Sequence, residues 1–301
     1  MNIKKIKGVI CAVIAAASYG MNPLFGIPLY NEGMEPLSVL FYRFFLASIL
    51  MAGVLFLRKD GFKLPKKYWL LTLTGGVMIA GTCLFWFLTF RIMDSGIAAA
   101  MLFIYPVMVA ALMWGFFREK LTPSTAIGML FAVAGVAWLC STGSNGGNIS
   151  FAGVIFIMLS ALLYAIYIVM VKTTRLKDAP PDTLTFYAML FASLLFLIPL
   201  NMGFDLQMIP SYKALANALG LALFPSLCAF LFTAVAVNAI GATQTAILGA
   251  MEPVTAVSIG VAVFHEKISL STVCAIIMII AAVMVVIRGN SRLPEPKTES
   301  Q

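Results

Sequence analysis

Charged side chains are scarce in this chain of 301 residues. Asp, Glu, Lys and Arg make up 11% of the sequence, 61% of the residues are hydrophobic, and the mean hydropathy is +1.00. A soluble domain of this length needs far more charge to cover its surface. The scarcity therefore excludes a soluble protein and indicates a chain that crosses a membrane several times.

Side chains suited to catalysis or metal binding are few as well. His265 is the single histidine, and the five cysteines lie in or beside apolar runs without the short spacings of metal sites. No P-loop occurs, so the chain is not expected to hydrolyse ATP by itself. The net charge of +8 is divided among segments that flank apolar runs, unlike the basic patch of a nucleic-acid-binding protein. We therefore expect no enzyme activity, no cofactor, no metal and no nucleic-acid partner.

Long apolar runs, in contrast, fill most of the chain. A helix of about 20 apolar residues crosses a hydrocarbon core of roughly 30 Å. Ten runs of suitable length predict an all-α integral membrane protein with ten transmembrane helices. The predicted spans are 8–30, 37–57, 69–90, 95–117, 123–139, 151–171, 183–200, 214–240, 242–264 and 270–287.

One stretch of the sequence occurs twice. Residues 95–121 and 242–268 each carry a proline near the middle of an apolar run and end in a Glu-Lys pair. A shift of 147 residues superposes Pro106 on Pro253, together with the glutamate that follows each proline by 13 residues. A shift of 145 residues relates the first two spans to the sixth and seventh. This duplication predicts two five-helix repeats. The predicted segments are a first repeat (1–140), a Gly-rich periplasmic linker (141–149), a second repeat (150–288) and a cytoplasmic tail (289–301).

An odd number of spans in each repeat inverts the second repeat in the membrane relative to the first. With a cytoplasmic amino terminus, the inside segments hold 16 of the 20 Lys and Arg residues, and the outside segments hold only Arg91, Lys213 and Lys267. The positive-inside rule then predicts that both termini are cytoplasmic. Inverted repeats are an architecture of secondary transporters, in which two similar bundles exchange conformations around a central site.

The sequence resembles the EamA family of the drug/metabolite transporter superfamily over roughly residues 8–288. The resemblance rests on the two mid-span prolines, the two Glu-Lys ends and two short motifs, which are Pro106, Pro253, Glu119-Lys120-Leu121, Glu266-Lys267-Ile268, Arg43-Phe44-Phe45-Leu46-Ala47 and Tyr19-Gly20-Met21-Asn22. It implies a transporter of amino acids, sugars or other small metabolites in the bacterial inner membrane. It also implies a central cavity lined by spans one to four and six to nine, with spans five and ten peripheral.

These features together predict a secondary active transporter of small metabolites, namely amino acids or related compounds, that exports by alternating access. An importer or a broad-specificity drug efflux carrier is the alternative, and a membrane protein without transport activity is a further one. The expected partners are the lipid bilayer and the metabolite. Protons are a candidate coupling ion, and a monomer and a homodimer both remain open.

Glu252 is the residue least favourable to place in a membrane. It lies at mid-membrane depth beside Pro253, whose missing N–H frees carbonyl groups one turn earlier. Such a carboxylate faces the bundle interior by default. We predict that it exchanges a proton or neutralises a substrate ammonium group, and a structural hydrogen-bonding role is the alternative. The equivalent position in the first repeat is Tyr105, so the fold itself does not need a carboxylate there.

Other polar side chains at membrane depth complete the predicted substrate site, which comprises Tyr19, Asn22, Arg43, Trp86, Tyr105, Tyr164 and Glu252. Arg43 could bind a substrate carboxylate, pair with Glu252 or extend to the outer headgroups. Pro23, Pro106 and Pro253 predict helix breaks in the first, fourth and ninth spans.

Glu119 and Glu266 are predicted to lie at opposite membrane surfaces, each followed by a lysine. One interpretation makes each of them a helix-end anchor or part of a loop ion pair, because ionised groups are readily placed at a membrane surface. Their symmetric positions also permit the other interpretation, in which they close the inner and outer gates.

Overall fold

The computed structural model describes residues 3–58, 61–118, 123–141, 149–240, 245 and 248–290. Throughout these ranges the regular secondary structure is helical, and none of it is β-strand. Six helical segments are long and apolar enough to cross a bilayer, and four shorter apolar helices accompany them. The prediction of an all-α, multi-pass membrane protein is therefore confirmed.

The helices follow the predicted spans closely. Within the described residues, the first, fourth and eighth spans are built from more than one helical segment, and a turn at residues 249–250 interrupts the ninth. The other spans are single helices. In chain order the helices are Ile3–Gly20 and Asn22–Asn31, Pro36–Arg58, Lys66–Thr89, Ser95–Leu102 and Tyr105–Phe117, Pro123–Ser141, Phe151–Thr173, Pro181–Leu197, Tyr212–Leu221 with Ala222–Cys228 and Ala229–Ile240, Met251–Phe264, and Leu270–Asn290.

Proline determines where the spans are interrupted. The first span breaks between Gly20 and Asn22, just before Pro23, and the fourth span breaks at residues 103–104, just before Pro106. In the ninth span, residues 249–250 form a turn, and helix Met251–Phe264 carries Pro253 in its first turn. Proline has no N–H to donate and favours the first turn of a helix, so each new helical segment begins beside it.

Polar contacts identify the two ends of the bundle. At the end where the chain begins, here called the near end, Arg58 forms an ion pair with Asp182 (2.8 Å), and the Thr183 hydroxyl donates to Gly61 O (3.1 Å). At the opposite end, here called the far end, Arg91 forms an ion pair with Glu35 (2.6 Å). Each of these contacts at the near end joins the first half of the chain to the second half.

The core centres on the first segment of the fourth span, Ser95–Leu102, in which all eight residues are buried. Its glycine and consecutive alanines (SGIAAAML) leave room for neighbouring helices to approach closely, as small residues do in membrane bundles. The fifth and tenth spans pack along each other, and Trp138 Nε1 donates to Ser271 Oγ between them (3.1 Å).

Candidate functional site

A cavity of about 250 Å³ lies inside the bundle. Its wall is formed by residues from the first, fourth, sixth, eighth and ninth spans. The small side chains Ala12, Ala15 and Ala16 lie on one face of the first span, since they are separated by the three- and four-residue steps of a helix, and they leave the space open. The other lining residues are Tyr19, Tyr105, Tyr164, Ala229, Phe230, Thr233, Thr245, Gly249 and Glu252.

Four of the seven predicted substrate-site residues line this cavity, namely Tyr19, Tyr105, Tyr164 and Glu252. The Tyr105 ring meets the Tyr164 ring edge to face, with centroids 4.8 Å apart and an angle of 72° between the planes. Tyr105 and Glu252, which occupy equivalent positions in the two halves of the sequence, thus lie on the same cavity wall. The cavity offers an apolar, aromatic surface with one carboxylate.

Glu252 is the second residue of helix Met251–Phe264 and is 7% exposed. Its backbone N–H donates to Gly249 O (2.9 Å), and its side-chain Oε1 has no hydrogen-bond partner among the described residues. Burial disfavours the ionised carboxylate, whereas the positive end of the helix dipole favours it. A buried carboxylate oxygen without a protein partner is suited to bind a proton or a cationic group.

The breaks in the first and ninth spans pack directly against each other. A Cβ built on Gly20 would lie 2.5 Å from Glu252 O and 2.8 Å from Thr255 Cβ. Only glycine permits this close approach, because any larger side chain would separate the two spans. The close packing positions Glu252 near Tyr19, which precedes the break in the first span and lines the same cavity.

Asn22 does not line the cavity. It is fully buried, and its Nδ2 donates to Tyr19 O at 2.7 Å. In a continuous helix that carbonyl would accept the N–H of residue 23, but Pro23 has none to donate. The Asn22 amide therefore replaces a backbone hydrogen bond, which is a structural role, while its Oδ1 has no partner within the described part of the chain.

Trp86 lies behind the cavity wall. Its side chain is fully buried and its ring stacks on Tyr19 with centroids 5.4 Å apart. Its Nε1 has no acceptor among the residues that the structure describes. Trp86 thus supports the position of Tyr19 and does not itself line the cavity.

Arg43 also does not line this cavity, and it is only 2% exposed. Its Nε donates to Ser226 Oγ (3.2 Å), and its guanidinium lies over the rings of Phe44 and Phe87, 5.4 and 5.3 Å from their centroids. No described carboxylate lies within 4.0 Å of it. The side chain therefore neither extends to the headgroups nor pairs with Glu252.

Ser226 was not among the predicted site residues. It belongs to a π-helical segment, Ala222–Cys228, which contains Pro225. The Ser226 hydroxyl donates to Leu221 O (3.1 Å), five residues earlier, and accepts from Arg43. A proline inside the eighth span signals an irregular helix in the sequence, but it does not identify which side chain the irregularity turns toward Arg43.

Glu266 joins the ninth span to the fourth at the far end. Its Oε1 accepts hydrogen bonds from Ser95 N (2.7 Å) and Ser95 Oγ (2.6 Å), and its Oε2 accepts from Gly96 N (3.1 Å). The carboxylate thus caps the first turn of helix Ser95–Leu102, where free N–H groups and the helix dipole favour an anion. We call this arrangement the Glu266 cap. Glu119, the equivalent residue of the first half, lies outside the described residues.

A helical bundle with an interior cavity walled by both halves of the chain, and with broken spans that line that cavity, is typical of membrane transporters. The model of the EamA-like transporter family matches residues 6–141 and matches again over residues 151–288. The chain belongs to this family, as the resemblance in its sequence implied.

Two relatives carry the name of uncharacterized transporters. YwfM of Bacillus subtilis is 24% identical over 181 residues, a match that spans 60% of either chain, and a protein of Archaeoglobus fulgidus is 26% identical over 258 residues, which is 83% of this chain and 87% of the relative. A crystal structure, described only as that of a protein, superposes with a TM-score of 0.68 over 96% of this chain and all of that chain, at 17% identity. A structural match at this identity supports the fold alone.

Proposed function

We propose that the protein is a secondary active exporter of small metabolites that carry an amino group, such as amino acids or related compounds. The observation that carries this proposal is the buried carboxylate of Glu252, whose Oε1 lacks a protein partner, on the wall of an aromatic cavity in the bundle interior. A substrate ammonium group would bind this carboxylate, and the apolar part of the substrate would contact the three tyrosine rings.

The size of the cavity favours a small metabolite over a drug. Sites for drug-sized ligands usually enclose about 300–1,000 Å³. The cavity of about 250 Å³ is smaller. Tyrosine and threonine side chains and one carboxylate line its wall, which suits a compact solute with a single ammonium group.

Helix packing supports two inverted repeats. The third span packs along the sixth, and the first packs along the eighth. If each span of one half is exchanged with the equivalent span of the other half, the pair of spans three and six becomes the pair of spans eight and one. Spans two and seven, four and nine, and five and ten also pack along each other, and the same exchange leaves these three pairs unchanged. The fourth and ninth spans also end alike, at Arg118 and His265, both with a left-handed backbone (φ 53° and 54°). Inverted repeats of this kind are found in many secondary transporters that work by alternating access.

The cavity extends from the helix breaks toward the near end, where Ala12, Thr233 and Thr245 line it. At the far end the Glu266 cap and the contacts of Gln207 join segments of both halves, and the ion pair of Glu35 with Arg91 joins two segments of the first half. In this conformation a substrate would enter from the near end. An exporter that loads on the cytoplasmic side and releases through the far end accounts for this arrangement.

The direction of transport depends on topology, which labelling tests. On a cysteine-free background, Lys63→Cys at the near end is expected to react with a membrane-impermeant thiol reagent only after the cells are opened. Asn31→Cys at the far end is expected to react in intact cells. Both side chains are exposed. A difference in labelling between the two positions therefore reports the side of the membrane on which each one lies. Labelling of Lys63→Cys in intact cells would contradict the cytoplasmic assignment of the near end.

Transport itself is tested with purified protein in vesicles that carry an imposed pH gradient. We expect saturable, gradient-driven movement of at least one small amine or amino acid, and no movement of analogues that lack the amino group. Protein-free vesicles and vesicles with Gly20→Leu, which would separate the packed breaks of the first and ninth spans, are the controls. Movement of solutes regardless of an amino group would contradict the assigned role of Glu252.

A further inference from the structure

Arg43 places a full positive charge in the bundle interior at a point that the proposed transport cycle does not use. Its single side-chain hydrogen bond among the described residues is to Ser226 Oγ, a neutral acceptor whose own O–H is donated to Leu221. Its Nη1 has no partner there, and no described carboxylate lies within 4.0 Å. Two aromatic rings stabilise the guanidinium in part. A buried cation without an anion is nevertheless unfavourable.

A second, smaller void of about 20 Å³ lies beside this side chain. Arg43 and Ser226 line it together with Tyr19 and Tyr164. A void of this size admits one particle of about the size of a water molecule. Tyr19, Tyr164 and Phe230 line both this void and the larger cavity, so the two spaces are adjacent.

We propose that the void beside Arg43 is a binding site for a monovalent, monatomic anion such as chloride. The guanidinium supplies the compensating charge and an N–H donor without a partner among the described residues, and the side chains of Tyr19 and Tyr164 also line the site. The fit follows from both charge and volume, because a neutral water molecule would leave the charge unbalanced and an organic carboxylate would exceed the space. Glu252 lines only the larger cavity and is not part of this site.

The proposal is tested by the melting temperature of the purified protein at constant ionic strength. Replacing gluconate by chloride or bromide is expected to raise the melting temperature with a saturable concentration dependence, because the anion binds only the folded protein. Arg43→Gln is expected to abolish the rise. Arg58→Gln removes a cation at the exposed near end and should leave the rise unchanged. An equal response of wild type and Arg43→Gln would overturn the proposal.

A second measurement needs no variant, so it decides the matter even where Arg43→Gln does not fold. Crystals of the wild-type protein soaked in bromide are expected to give an anomalous peak next to Arg43 Nη1. Acetate serves as the organic comparison in the melting experiment and is expected to have no effect. The absence of a bromide peak would contradict an inorganic anion site. Stabilisation by acetate without stabilisation by halide would contradict it as well and would favour a carboxylate of an organic solute as the partner of Arg43.

Discussion

Glu252→Gln is expected to abolish accumulation driven by a pH gradient and to weaken binding of amino-bearing substrates by roughly 100-fold or more, since breaking a buried ion pair is worth about 3–5 kcal/mol. The amide retains the shape of the side chain but cannot ionise, so it neither releases a proton nor neutralises an ammonium group. Binding by wild type should weaken as the pH falls, because protons compete for the carboxylate. Transport in vesicles and a binding titration measure both effects.

The matched control is Asp182→Asn, which removes a carboxylate from an exposed ion pair with Arg58. Exposed pairs contribute about 0–1 kcal/mol, so transport should change little. Glu252→Gln should also fold at least as stably as wild type, because a buried ionisable group is removed from a low-dielectric interior. If Glu252→Gln responds to the pH gradient and binds substrate as wild type does, Glu252 has only a packing role. A lower melting temperature of this variant would show in addition that the carboxylate stabilises the fold.

Weakening the Glu266 cap is expected to shift the protein toward a conformation that is open at the far end. Glu266→Gln replaces an acceptor by a donor next to an N–H group and removes the charge from hydrogen bonds worth about 1.5–3 kcal/mol each. We expect the open population to rise by roughly 10–100-fold. The readout is the rate at which a membrane-impermeant reagent, added at the far end, labels a cysteine placed in the cavity.

Gly260→Ala tests the same cap without changing the carboxylate. A methyl group on Gly260 would clash with Glu266 Oε2 and displace it, whereas a methyl group on Gly115 would meet no atom within 4 Å. Gly260→Ala should therefore open the far end as Glu266→Gln does, and Gly115→Ala should not. Unchanged labelling in both Glu266→Gln and Gly260→Ala would leave Glu266 as a helix-end anchor, which is the other interpretation of its sequence position.

The spans and their breaks could be predicted because their causes are local. Apolar runs of suitable length determine where helices cross the membrane, and Pro23 and Pro106 remove backbone donors at identifiable positions. The candidate cavity was predictable in part for the same reason. A carboxylate at mid-membrane depth, such as Glu252, is unfavourable unless it faces the interior.

The contacts between distant residues could not be predicted in this way. Arg43 meets Ser226 across 183 positions of sequence, and Glu266 meets Ser95 across 171. No periodicity in one span specifies the partner in another. Asn22 shows that a polar residue at depth can also have a local cause, because its amide donates to the Tyr19 carbonyl to which Pro23 has no N–H to donate.

The most direct test of the account asks whether the cavity is the path of the substrate. Ala16, a small residue of the cavity wall, is replaced by cysteine on a cysteine-free background, and Asn31→Cys at the exposed far end is the control. The labelling rate and the remaining transport are measured with and without a transported solute. We predict that the solute slows labelling of Ala16→Cys and that labelled protein no longer transports, while Asn31→Cys shows neither effect. If the solute does not change the labelling rate of Ala16→Cys, and if the labelled protein still transports, the cavity is not the path of the substrate.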